Sequence, residues 1–178
     1  MAKHLTKTEI MQKLWQRKAA VKSASTTTPM VMTTVCMYTL WKYFNFSANQ
    51  LVKLQEYMIA HIDDDAEECN KIIKRKTGWE IYREDEEVYK KTGIAYFDKL
   101  QDEIKAYDKS SYDYAQRYIS IMMKYLITEK GFGKQRLEKL KTILEEMINN
   151  ETNEYNALQM RAELAEGTGI VTTFDNVG

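Results

Sequence analysis

Two stretches decide the fold: MYTLWKYFNFSANQLVKLQEYMIAHI, running from Met37 to Ile62, and MKYLITEKGFGKQRLEKLKTILEEMI, running from Met123 to Ile148. Laid over one another at an offset of 86 residues (Met37 on Met123), they agree at Leu40/Leu126, Phe46/Phe132, Leu51/Leu137, Lys53/Lys139, Leu54/Leu140 and Ile62/Ile148. Apolar character is shared again at Val35/Ile121, Cys36/Met122, Tyr57/Ile143 and Met58/Leu144. In each stretch the apolar residues recur at helical spacing, pause, and resume. The pauses are Asn45-Phe46-Ser47 and Gly131-Phe132-Gly133, a phenylalanine framed by turn-tolerant residues. Each stretch therefore predicts a helical hairpin whose bend plants one Phe inward.

Working outward, Thr6 and Glu9 have capping-box spacing, and Ile10, Met11, Leu14, Trp15 and Val21 follow as a first apolar stripe. That helix is expected to fade in Ser23-Ala24-Ser25-Thr26-Thr27-Thr28, whose hydroxyls favour caps over helix interiors. Pro29 then opens a second helix carrying Met32, Val35, Cys36, Thr39, Leu40 and Tyr43. Ser47 and Gln50 form another capping-box pair, starting a third helix through Leu51, Leu54, Met58, His61 and Ile62.

An acidic run at Asp63–Glu68, a basic one at Lys71–Lys76 and an acidic stretch at Glu84–Glu87 follow, with a turn expected at Gly78 and a short helix or irregular connector over 80–91. After Gly93, Ile94, Phe97, Leu100, Ile104 and Tyr107 make a stripe that Lys109-Ser110-Ser111 is expected to end. Tyr118, Ile121, Met122, Tyr125 and Leu126 mark the next helix. The last one, from Leu137 to Ile148, is read as breaking at Asn149-Asn150 and restarting with Tyr155, Leu158 and Ala162.

The expected architecture is an all-α, single-domain helical bundle over 1–178. It comprises hairpin copy one at about 29–66, a charged insertion at about 67–111, copy two at about 112–166, and an extended tail at 167–178.

Composition agrees. One proline and seven glycines in 178 residues are too few for the turns of an all-β fold or for a Gly-rich phosphate loop. Charge balances at 26 Lys+Arg against 26 Asp+Glu, so the chain lacks the basic excess of a dedicated nucleic-acid coat. Neither Cys36 nor Cys69 sits in a CxxC. No stretch reads as a signal peptide or a membrane span. The expected setting is cytoplasmic, in a bacterial host cell, without membrane partners.

The element Lys130-Gly131-Phe132-Gly133-Lys134-Gln135-Arg136-Leu137 resembles a G-F-G-K-x-R-L element of small helical proteins carried by prophages and mobile elements of Gram-positive bacteria. The resemblance covers a short part of the chain. It implies a phage setting, in which small proteins without catalytic motifs often bind a host or immune component. It implies no activity for particular residues.

Three groups of side chains carry the functional expectations. Lys130, Lys134, Gln135, Arg136, Lys139 and Lys141 gather around the start of the last long helix. Free amides and the helix dipole add positive potential there, so a phosphate, nucleotide or nucleic-acid backbone is the candidate ligand. Trp41, Trp79, Tyr82, Tyr89, Tyr112 and Tyr114 are candidate protein-interface residues, because large amphipathic side chains anchor interfaces at low entropic cost. His61, Asp64, Asp65 and Glu68 share a helical face and are a weak metal candidate; a core-edge histidine beside a solvated acidic run is the simpler reading.

No Ser-His or Cys-His pair stands out, so an enzyme is not expected and no cofactor is assigned. The expectation is a non-enzymatic protein that binds a macromolecular partner, as an inhibitor of a host defence component and as a homodimer. A nucleotide- or nucleic-acid-binding role at 130–141 is the alternative, and a metal-dependent enzyme a distant one.

Overall fold

The computed structural model describes residues 6–80, 93–149 and 154–172. Among them are six helices and no strand: α1 (Lys7–Phe44), α2 (Ala48–Ala60), α3 (Ala66–Thr77), α4 (Ala95–Thr128), α5 (Lys134–Asn149) and α6 (Glu154–Thr168). The chain divides into two compact units where a single domain is expected. Unit 1 is Met1–Thr28 with Glu84–Tyr114, and unit 2 is Pro29–Arg83 with Ala115–Gly178.

The first correction concerns the breaks. Ser23–Thr28 does not end a helix, and Pro29 lies inside α1. The hydroxyls turn back on their own helix instead: Ser25 donates to the Lys22 carbonyl at 2.8 Å, Thr26 to Ser23 at 2.7 Å and Thr28 to Ala24 at 2.7 Å. Ser and Thr side chains can serve either a cap or such a back-bond. Here the helix continues, and the back-bond wins. Lys109–Ser111 likewise lies inside α4, with the Ser111 hydroxyl on the Tyr107 carbonyl at 3.2 Å. The two misread breaks fall next to the unit boundaries at Thr28/Pro29 and Tyr114/Ala115.

The stretch read as a charged insertion has no single identity. Residues 67–77 belong to α3 in unit 2, 95–111 to the start of α4 in unit 1, and 81–92 lie outside the described residues. The tail read as extended over 167–178 begins inside α6, which runs to Thr168, forms no strand over 169–172, and lies outside the described residues at 173–178. Buried Thr172 instead shares a hydrogen bond of 3.0 Å with buried Thr34.

Unit 2 holds most of the described core. Val35, Cys36, Met37 and Leu40 of α1, Leu51 and Leu54 of α2, Ile73 of α3, Ile121, Met122 and Leu126 of α4, Leu137 and Leu140 of α5 and Leu164 of α6 are all buried. α3 packs against α5, and Asp64 just before α3 pairs with Lys124 of α4 at 2.7 Å. α6 packs along α1, where the Tyr38 hydroxyl donates to Glu163 at 2.8 Å and Trp41 lies against Gly167. A Cβ at Gly167 would meet the Trp41 ring at 2.2 Å, so the close approach requires glycine.

α3 and α6 end alike. In both, a Thr-Gly pair closes the helix, the Gly left-handed (Gly78 φ 83, Gly169 φ 74). The Thr hydroxyl accepts from the amide two residues on, Trp79 at 3.1 Å and Ile170 at 3.2 Å.

Unit 1 is thinner. Among its described residues the buried apolar ones are Phe97, Leu100 and Ile104 of α4, and none of Lys7–Thr28 of α1 is buried. Lys18 bonds Glu103, and Arg17 pairs with Asp108 at 3.6 Å, fixing α1 beside α4. The Thr6–Glu9 capping box is present, with the Thr6 amide donating to the Glu9 carboxylate at 2.7 Å.

Candidate functional site

The two bends are built by the same backbone device. Asn45 (φ 55) and Gly131 (φ 61) take the left-handed conformation just past their helices. The next amide then reaches back: Phe46 N–H to the Leu40 carbonyl at 3.1 Å, and Phe132 N–H to Leu126 at 2.8 Å. This return bond satisfies a carbonyl the helix end leaves open and turns the following side chain inward. Phe46 and Phe132 are accordingly buried, their rings edge-on at 6.1 Å, and Phe44 meets Phe132 at 5.7 Å. The bends therefore pack on one another in unit 2.

The starts of the next helices differ. Ser47 caps α2, accepting from the Gln50 amide at 3.4 Å while the Gln50 side chain accepts from the Ser47 amide at 2.9 Å. The matching residue before α5 is Gly133, which has no side chain to cap with.

Around this paired bend the predicted basic residues come together on aromatic rings. The Arg136 guanidinium lies over Phe132 at 3.8 Å, Lys139 over Phe44 at 5.6 Å, Lys130 over Tyr125 at 5.4 Å and Lys141 over Trp79 at 5.0 Å. Lys134, Gln135, Arg136, Lys139 and Lys141 are all exposed. Two have acidic neighbours on their own helix, Lys134–Glu138 at 3.8 Å and Lys141–Glu145 at 3.5 Å. Exposed pairs of this i,i+4 kind contribute only about 0.3–0.5 kcal/mol each and leave the cations open to a stronger anion.

The predicted interface aromatics are scattered. Trp41 is half-buried against α6. Trp79 is half-buried beneath Lys141. Tyr114 is half-buried, and burial raises its hydroxyl above the usual tyrosine range. Tyr82 and Tyr89 lie outside the described residues, as does the side chain of Tyr112. The exposed apolar groups lie elsewhere and in both units: Met11 (36%), Trp15 (48%), Ile94 (39%) and Tyr96 (51%) in unit 1, and Tyr43, Val52, Ile59, Leu158 and Val171 in unit 2. Trp15 belongs to the first apolar stripe and is nevertheless exposed. Helical period alone marks an apolar face without saying what covers it.

The metal candidates do not converge. The His61 ring stacks on Tyr57 at 3.8 Å with Nδ1 against the Tyr57 carbonyl at 2.7 Å. Asp64 is taken by Lys124, and Asp65 caps α3 by accepting from the Glu67 amide at 2.9 Å. Among the described residues no group of three or more His, Cys, Asp or Glu side chains is placed to hold a metal ion.

Both thiols are buried. Burial pushes Cys36 up to about 12 and raises Cys69, for which the Lys124 ammonium offsets part of the effect. At about pH 8 a thiol of that kind is ionised to about one part in ten thousand. Native protein is therefore expected to leave Cys36 unlabelled by a disulfide reagent under conditions where urea-unfolded protein reacts at both cysteines. Rapid native labelling at Cys36 would contradict its burial.

Comparison with protein-family models, with curated proteins and with solved structures finds no match. Among the described residues no helix is long and apolar enough to cross a membrane.

Proposed function

We propose that this chain is a non-enzymatic binding protein that engages a protein partner through the apolar face of unit 1. One observation carries the reading. The first 22 residues of α1, Lys7–Thr28, contain no buried residue, yet present Met11 and Trp15 one turn apart. A helix so little covered draws scant stability from packing, which is where most helical stability comes from. An exposed apolar set rimmed by charge is the usual form of a docking surface.

Lys18 ties Trp15 to charge: its ammonium lies 5.1 Å over the Trp15 ring and bonds Glu103, which raises its pKa. Trp and Tyr beside a cation are the residue types in which interface energy concentrates. The positions of the titratable groups support a non-enzymatic role, since His61 is tied to Tyr57 and both thiols are buried. The G-F-G-K-x-R-L resemblance directs the search for a partner toward host defence components, with inhibition as the proposed outcome.

The test is capture from host lysate by the full chain and by its Trp15→Glu form. Loss of a specific partner by at least about tenfold, with circular dichroism unchanged, is the expected result. A light-scattering mass near twice 20.9 kDa that falls to 20.9 kDa in Trp15→Glu would identify a second copy as the occupant. A monomer that captures the same proteins with and without Trp15 would refute the reading.

A further inference from the structure

The two bends allow a comparison inside one molecule. They share the left-handed residue, the return hydrogen bond and the inward Phe, and the helices that follow begin at matching positions, Ala48 and Lys134. Side chains needed to hold such a bend should therefore be the same in both. The leucines are: Leu51 and Leu54 match Leu137 and Leu140, all buried. The cations are not. Where the second bend has Lys134, Arg136 and Lys141, the first has Ala48, Gln50 and Gln55; only Lys139 has a counterpart, Lys53.

From 128 to 142 five cations stand with Glu129 and Glu138, a net of three positive charges before Glu145 just beyond pairs with Lys141, whereas 42 to 56 carries Lys42, Lys53 and Glu56, a net of one. The bend itself does not require that excess.

We propose that the surface of the second bend, formed by Lys130, Lys134, Arg136, Lys139 and Lys141, binds the phosphate backbone of a nucleic acid. The arrangement suits that ligand in two ways. The Arg136 guanidinium sits 3.8 Å over the Phe132 ring, a contact that restricts its planar fork before any phosphate arrives. Lys139 over Phe44 at 5.6 Å and Lys130 over Tyr125 at 5.4 Å are likewise gathered on rings, so several cations are positioned before a backbone arrives. A bilayer would instead call for exposed aliphatic side chains, and none of the exposed large hydrophobic residues lies within 128–142.

The decisive variant makes the second bend resemble the first: Lys134→Ala, Arg136→Gln and Lys141→Gln together. Each new side chain already stands at the matching position of the first bend, so the fold should hold, and the thermal midpoint checks this. The probe is a labelled oligothymidylate of about 20 nucleotides, followed by fluorescence anisotropy. Wild-type affinity is expected to fall about fifty-fold between about 50 and about 200 mM salt if four cations each meet a phosphate. The triple variant should bind at least about tenfold more weakly, with a shallower salt dependence. Trp15→Glu should bind like wild type, so failure here and failure of the unit 1 reading are separable. Absence of wild-type binding at low salt, an unchanged triple variant, or a preference for phosphatidylglycerol vesicles over the oligonucleotide would each overturn the proposal.

Discussion

Replacing Phe132 by alanine is expected to lower the stability of unit 2 by about 3–5 kcal/mol, the usual cost of emptying a buried aromatic site. The ring is 1% exposed, meets Phe44 and Phe46 and carries Arg136 on its face. Its removal takes away the ring contacts between the two bends. Phe132→Leu keeps most of the volume and should cost less than about 1.5 kcal/mol. Because Cys36 and Cys69 both lie in unit 2, thiol labelling in urea reports on that unit directly. A labelling midpoint in Phe132→Ala equal to that of wild type would show that the bends do not hold each other.

The second large effect runs the other way. Pro29→Ala should stabilise the protein by about 2 kcal/mol. Proline inside a helix costs about 3 kcal/mol, through the missing amide and the clash with the carbonyl four residues back. Here that carbonyl is Ser25's, in the middle of a 38-residue helix. Alanine would restore the bond while giving up about 0.4–1 kcal/mol of unfolded-state restriction, which sets the net sign. A urea midpoint that rises with an unchanged slope is the expected observation. A fall would mean that the half-buried ring contributes more by packing than it costs the helix.

Much of the fold was legible because its signals are local. Ser47 and Gln50 announce the start of α2, and Gly131 and Gly133 the second bend, through chemistry confined to a few neighbouring residues. Thr6 and Glu9 behave in the same way. Ser23–Thr28 and Lys109–Ser111 were misleading because a hydroxyl serves a cap and a back-bond equally well. Which one it makes depends on whether the helix goes on, and distant packing decides that. The basic cluster was legible as residues, but not the rings beneath it: Phe44, Tyr125 and Trp79 come from other segments of the chain. Trp15 and Trp41 mark the limit of local pattern in opposite directions. Trp15 lies on a good helical stripe that little covers, whereas Trp41 meets a glycine more than a hundred residues away.

The sequence by itself determined that this chain is helical, where its two phenylalanine bends lie, and that the bends bury Phe46 and Phe132, because periodicity, capping and left-handed turns act over a few residues. Only the tertiary structure decided that α1 and α4 run unbroken through the Ser/Thr-rich stretches, that the chain gathers into two units, and that α6 covers Trp41 while unit 1 leaves Trp15 in water. These outcomes depend on contacts between residues far apart in the chain, whose apolar faces are alike in pattern and differ only in what comes to cover them.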